Sequence, residues 1–212
     1  MFTGDVSVKC GSMNLPNRLT VWRIALTPVF VSALLLPNFP WGKTLALGIF
    51  IVASITDWYD GWLARTRNLE TAFGALLDPV ADKILTCAAF ICFVELRDQN
   101  GNALVQAWMS LVIVSRDFLV TGLRLVARER GVVLQAEQFG KHKTASQMIA
   151  IILILTGLAA RSEWRSFGFD PTRFDVVFST AVFWLVLVTV VLTVWSGWNF
   201  FWKNRELVLQ DA

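Results

Sequence analysis

The sequence predicts an all-α protein: a polytopic membrane bundle of six transmembrane helices behind a short N-terminal interfacial segment. Three observations carry this expectation. Of 212 residues, 55% are hydrophobic and only 17% charged, with a mean hydropathy of +0.56, more apolar content than a soluble core of this length needs. The apolar residues gather into six stretches, each near the roughly 20 residues that cross a hydrocarbon layer as a helix. The length suits one bundle rather than two domains, and no internal repeat or low-complexity segment breaks it up.

The elements follow in order. Residues 1–16 form a cytoplasmic or interfacial segment, 17–205 the helical domain, and 206–212 a polar tail. The first fifteen residues lack the charged start, apolar run and small-residue cleavage site of a signal peptide, so the first apolar stretch is expected to be retained as a helix. Val6, Val8, Met13 and Leu15 suit a short amphipathic segment along the interface. The first span runs from Leu19 to Leu36 and stops at Pro37-Asn38-Phe39-Pro40, where proline cannot continue a helix. The others are expected at Lys43–Arg65, Gly74–Leu96, Ala103–Glu129, Gln138–Ala160 and Asp175–Trp202.

Charge orients the bundle. Lys9, Arg18, Arg65, Arg67, Arg128, Arg130, Lys141, Lys143, Lys203 and Arg205 fall on one side. Lys43, Arg97, Arg161, Arg165 and Arg173 fall on the other. The richer side is the cytoplasmic one, which puts both termini in the cytoplasm. Trp41, Trp108 and Trp164 then sit near the outer interface and Trp195, Trp198 and Trp202 near the inner one, as anchoring belts do. The net charge of +3 is spread among apolar runs with no nucleic-acid motif around it, so anionic lipid is the expected partner and nucleic acid is not. Cys10, Cys87 and Cys92 lack metal-site spacing; the last two read as small buried side chains.

Four acids stand out. Asp57 and Asp60 are three apart on the second helix, and Asp78 and Asp82 four apart on the third, so each pair shares a helix face. Each acid costs at least about 2.5 kcal/mol inside a bilayer, and four facing one another repel unless cations lie among them. The short connection makes the two helices expected antiparallel neighbours, with both pairs at the cytoplasmic end. All-oxygen donors favour Mg²⁺, Mn²⁺ or Ca²⁺ over zinc, and two such ions can clamp both oxygens of a phosphoryl displacement. The competing reading pairs the acids with Arg65 or Lys83 as buried salt bridges. Gly61 and Gly74 let a phosphate or a backbone come close. Arg65, one turn past Asp60, suits bidentate phosphate binding or a snorkelling interface role. Thr71 offers a hydroxyl, or simply loop polarity.

The pattern Asp57-x2-Asp60-Gly61-x2-Ala64-Arg65-x8-Gly74-x3-Asp78-x3-Asp82 resembles the complete signature of the CDP-alcohol phosphatidyltransferases, with eight fixed positions over 26 residues. The resemblance implies a six-helix membrane fold, usually homodimeric, in the bacterial inner membrane with its site facing the cytoplasm. It implies two divalent ions, Mg²⁺ or Mn²⁺, held by Asp57, Asp60, Asp78 and Asp82, with Asp82 also the general base. Asn17, Asp57, Asp60, Gly61, Arg65, Thr71 and Gly74 would hold the CDP portion of CDP-diacylglycerol. Asn14-Leu15-Pro16-Asn17-Arg18-Leu19-Thr20-Val21-Trp22-Arg23 is similar to the start of the bacterial phosphatidylglycerophosphate synthases within that family. So are Ser115-Arg116-Asp117, Gly122-Leu123-Arg124, Gly131-Val132-Val133 and Gly140-Lys141-His142-Lys143-Thr144, apart from Asp117, where that branch has Glu. Together these segments cover most of residues 14–155 and imply sn-glycerol 3-phosphate as the acceptor.

The basic residues fit that acceptor. Arg116 lies near the middle of the fourth span, where an ionisable residue is a functional candidate by default. Asp117 beside it points about 100° away around a helix, so the two need not pair. Arg124 lies two turns further on, and Lys141 and Lys143 open the fifth helix. These four suit a cationic pocket for a phosphate-bearing alcohol. Against this stand a buried pair of Arg116 with Asp117 or Glu95, and the positive-inside rule for the two lysines. His142 reads as a solvated or supporting residue. Other acceptors remain open, namely phosphatidylglycerol, inositol phosphate and serine, and more remotely an ion transporter built on the four acids.

Overall fold

A computed structural model places six α-helices in the chain: α1 (Leu15–Leu35), α2 (Gly42–Arg67), α3 (Ala72–Glu95), α4 (Ala107–Glu129), α5 (Gln138–Ser166) and α6 (Thr172–Lys203). The structure describes residues 15–37, 39, 41–67, 72–98, 101–129, 138–166 and 172–205; the side chains of 15–20, 57–67, 72–80, 82, 128–129, 138–142, 164–166 and 172–173 lie outside the described set. Among the described residues there is no strand, only an isolated bridge between Arg97 and Ala103.

The helices match the six apolar stretches, with informative differences at their ends. α1 starts four residues early because Pro16 is tolerated in a first turn, where its missing N–H has no partner to lose. α4 starts at Ala107 rather than Ala103. Residues 96–105 instead turn back on α3: Leu104 N–H donates to Leu96 O at 2.8 Å, Asp98 N–H to Asn102 O at 2.8 Å, and Asn102 N–H to Asp98 Oδ1 at 2.8 Å. Gly101, at φ 80°, supplies the left-handed residue this turn needs. α5 continues to Ser166, past the apolar stretch, and its last turns are tied to neighbours. Arg161 Nε meets Asp175 Oδ1 of α6 at 2.9 Å, and Thr44 Oγ1 of α2 donates to Glu163 Oε1 at 2.9 Å.

α1 packs on α2 and α3, α2 on α5, α3 on α4 and α5, and α6 on α4 and α5. The sequence led us to expect α2 and α3 as direct neighbours. Among the described residues α1 packs against both of them: Phe30 and Leu34 are fully buried, and the Phe30 and Phe50 rings lie 6.1 Å apart, while the side chains of α2 and α3 next to their connection lie outside the described set. Phe90 and Phe93 of α3, Ile151, Ile154 and Leu155 of α5 and Val186 of α6 complete the core. Cys87 and Cys92 are buried within it as free thiols, as their apolar setting suggested.

The outer surface is unlike that of a soluble bundle. Val52, Ile55, Ile91, Leu111, Leu119, Val177, Trp184 and Val191 are all more than half exposed, far more apolar surface than a water-facing monomer tolerates. Two helices are long and apolar enough to cross a membrane, over Lys143–Glu163 and Phe174–Lys203, with shorter apolar runs at Val21–Leu35 and Gly42–Thr56. These are the spans among the described residues. α4 falls short because Arg116, Asp117 and Arg124 interrupt it.

One close approach sets the α1–α2 corner. A Cβ on Gly42 would stand 2.3 Å from the Ala33 carbonyl oxygen, and the adjacent Lys43 ammonium donates to the Leu34 carbonyl. Backbone cannot yield as a side chain can. Gly42→Ala is therefore expected to destabilise the fold by about 1–3 kcal/mol. Thermal unfolding in detergent checks this, and an unchanged melting temperature would show that the corner relaxes freely.

Candidate active site

α2 is continuous through Asp57 and Asp60, and α3 through Asp78 and Asp82. The three- and four-residue spacings therefore do place each pair about one helical turn apart on a common face. The side chains of all four acids, and those of Asn17, Arg65, Lys141 and His142, lie outside the described residues, as does Thr71 altogether; Gly61 and Gly74 are placed only as members of α2 and α3. What the backbone establishes is a set of four carboxylate positions on two helices, all in the halves of α2 and α3 that lead to residues 68–71.

The neighbouring polar cluster is described in detail, and it is built from three helices. Asp117 of α4 and Lys143 of α5 are 3% and 2% exposed and form a direct ion pair. The second carboxylate oxygen of Asp117 accepts from Gln147 Nε2, one turn along α5, at 3.2 Å. Arg116 Nη1 lies 3.5 Å from Asp117 Oδ1, and Arg116 Nη2 donates to Ser196 Oγ of α6 at 2.7 Å. Gly197 leaves room for this arginine, since a Cβ there would come within 3.1 Å of Arg116 Cγ. The guanidinium thus lies across α6 at a Ser-Gly step and reaches back to its own neighbour's carboxylate.

Adjacent helical residues diverge by about 100° at Cβ, so Arg116 and Asp117 need not pair, and the sequence left both arrangements open. Four rotatable bonds carry the arginine head back over that angle. The alternative of an Arg116–Asp117 contact is the one observed, while Lys143 makes the closer pair. Among the described residues, two cations face this one carboxylate. Arg124, two turns along α4, stands apart: it is exposed, with its guanidinium carbon 5.5 Å from the centre of the Phe200 ring.

The sequence reading missed Gln147 and Ser196. Each is a fully buried polar side chain inside an apolar helix, and that placement was the available signal, because a polar group in such a setting needs a partner. It also passed over Arg23, a buried cation within α1.

With this geometry in view, the comparisons are consistent. The family model described as CDP-alcohol phosphatidyltransferase matches residues 13–195. A Bacillus subtilis protein named CDP-diacylglycerol–glycerol-3-phosphate 3-phosphatidyltransferase is 42% identical over 206 residues, covering 91% of this chain and 96% of the relative. Proteins of the same name from Pseudomonas fluorescens and Pectobacterium atrosepticum are 36% and 34% identical. The first match covers 74% of this chain and 80% of the relative, the second 93% and 98%.

Proposed function

Because the chain belongs to the CDP-alcohol phosphatidyltransferase family, we propose that it transfers the phosphatidyl group of CDP-diacylglycerol to sn-glycerol 3-phosphate, releasing phosphatidylglycerophosphate and CMP. The observation that supports the acceptor assignment is the buried Arg116–Asp117–Lys143 cluster, two cations to one carboxylate among the described residues, on the same chain as the eight-position signature of α2 and α3. A phosphate-bearing alcohol uses such charge; an uncharged acceptor does not need it. Relatives 34–42% identical over most of their length, all named for this reaction, support the same reading.

The donor set fits two hard divalent cations. Asp57, Asp60, Asp78 and Asp82 offer only carboxylate oxygens, from two helix faces, which suits Mg²⁺ or Mn²⁺. Bound there, the ions would neutralise the diphosphate and the charge that develops on departing CMP. The chain's own residues do the rest. Asn17, Gly61, Arg65, Thr71 and Gly74 hold the CDP portion, the glycines by letting phosphate approach backbone and Arg65 by bidentate donation. Arg116, Lys141 and Lys143 orient the acceptor phosphate, and Asp117 and Ser196 hold Arg116 and Lys143 in place; Arg124, over the Phe200 ring, is apart from this group. The acceptor hydroxyl oxygen forms a bond to the β-phosphorus as the bond from that phosphorus to the bridging oxygen breaks. CMP departs with the electron pair, and Asp82 takes the hydroxyl proton.

The exposed apolar surface supports a membrane setting, and the charge asymmetry supports its orientation. The six helices span the bacterial inner membrane with both termini and the site on the cytoplasmic side, the acyl chains stay in lipid, and the protein works as a homodimer.

One assay tests the core of this. Purified protein with CDP-diacylglycerol and Mg²⁺ or Mn²⁺ should release CMP with glycerol 3-phosphate and not with serine, inositol phosphate or phosphatidylglycerol. Release only with one of the others would overturn the acceptor assignment. Chelation with EDTA should remove the activity and either metal restore it; activity that survives exhaustive chelation would remove the metal reading.

A further inference from the structure

At the opposite end of the bundle lies a second concentration of positive charge. The end of α1, the start of α2, the 96–98 turn and the last turns of α5 enclose a cavity of about 710 Å³ lined by Lys43, Arg97 and Arg161. Lys43 begins α2, and Asp57 lies fourteen residues further along it, so about 20 Å of helix separates this cavity from the acidic pairs. It is not part of the site described above.

The three cations have donors to spare. Lys43 gives one of its three ammonium protons to the Leu34 carbonyl. Arg161 is held by Asp175 through Nε and by the Arg97 carbonyl through Nη1 at 3.4 Å, which leaves Nη2 without a partner among the described residues. Arg97 is exposed, and its guanidinium has no ion pair with a described carboxylate within 4 Å. The one carboxylate on the wall, Asp98, already accepts from the Asn102 N–H. Asp175 offsets Arg161 and Asp98 lies on the wall, so three cations stand against two carboxylates among the described residues, and a bound anion would relieve the repulsion that is left. The clustering is not explained by positive-inside topology either, since this is the cation-poor end of the bundle.

The rest of the wall identifies the kind of anion. Leu36, Phe39, Leu96 and Leu158 line the same cavity. A separate apolar groove of about 730 Å³ between α1, α3 and α4 is walled by Leu35 and Glu95, the chain neighbours of Leu36 and Leu96. Several spare N–H donors converging beside apolar surface match a phosphate group, whose oxygens accept in several directions. We propose that Lys43, Arg97 and Arg161 form a second, non-catalytic phosphate-binding site. It is filled by the headgroup phosphate of a phospholipid in the leaflet opposite the catalytic site, or by free phosphate.

Native mass spectrometry of the detergent-solubilised protein tests this with phosphatidylglycerol, dioleoylglycerol and inorganic phosphate as separate probes. Arg97→Gln, in an exposed turn, and Lys43→Gln, which keeps an N–H for the Leu34 carbonyl, are compared with the parent protein. Each variant should bind one phosphate-bearing ligand fewer or weaken it about tenfold, the loss of one charge-assisted hydrogen bond. CMP release should stay unchanged, and dioleoylglycerol should show no difference. Loss in the phosphatidylglycerol arm identifies the headgroup, and loss in the phosphate arm alone identifies the free ion. Unchanged binding in both arms for both variants overturns the site. Because the readout is ligand mass, the result does not depend on which acceptor the catalytic site uses.

Discussion

Asp82→Asn is expected to abolish CMP release, by at least about 10²–10⁴-fold, while leaving the helices intact. Asparagine keeps the shape and loses the ability to accept the acceptor's proton. Position 82 lies nearly three turns into α3, one turn past Asp78, so the change leaves the helix itself alone. Because Asp82 is also proposed to hold metal, two measurements separate the roles. If it is the base, Mn²⁺ titration followed by electron paramagnetic resonance should show both ions still bound, with at most weakened affinity, while turnover is gone. Asp57→Asn should instead lose metal and turnover together. Full activity in Asp82→Asn would remove Asp82 as the base. Loss of Mn²⁺ in step with activity would make it a ligand only.

The second large effect is on stability. Asp117 and Lys143 form a nearly solvent-free ion pair that joins α4 to α5, and Arg116 carries the connection on to α6. Removing one partner strands the other's charge. Asp117→Leu should therefore cost about 3–5 kcal/mol, read as a large drop in melting temperature. The double change Asp117→Leu with Lys143→Met should recover most of that loss, since apolar groups of similar size often replace a buried pair without penalty. It should not recover activity if Lys143 orients the acceptor phosphate: CMP release would stay low and the KM for glycerol 3-phosphate high. A double variant with normal kinetics would make the pair purely structural. Asp117→Glu makes a finer probe, because a longer carboxylate at this position displaces Lys143 without discarding the charge.

Much of this was legible in the sequence, and the limits have physical causes. The six helices could be read from apolar runs alone, because a backbone that must satisfy its own hydrogen bonds in an apolar setting has few options. The helix ends were less legible. The 96–106 turn depends on hydrogen bonds between Leu96, Asp98, Asn102 and Leu104, which hydropathy does not register. The acidic spacing was readable because Asp57, Asp60, Asp78 and Asp82 sit in unbroken helices, where sequence distance converts directly to angle. The basic cluster was readable as a list but not as a network. Which carboxylate Lys143 meets depends on how α4 and α5 rotate against each other, and the bend of Arg116 onto Asp117 and Ser196 depends on the gap left by Gly197. Nothing in the local sequence encodes those relations. The packing of α1 on both α2 and α3 was hidden for the same reason: Phe30 against Phe50, for one, is a long-range match between two apolar faces.

The exposed indoles of α6 have a spectroscopic consequence. Trp184, Trp195, Trp198 and Trp202 all show most of their ring surface to the outside, and fourteen residues separate Trp184 from Trp198, about 21 Å along the helix axis. The helix therefore carries its own ruler. In reconstituted vesicles, lipids brominated deep in the acyl chain should dim Trp184 selectively, and quenchers confined to the headgroup region should dim Trp198 and Trp202, each read in a variant with the other α6 tryptophans changed to Phe. The ratio of the two signals reports how deeply α6 is seated and how far it tilts, without attaching a foreign label to the protein.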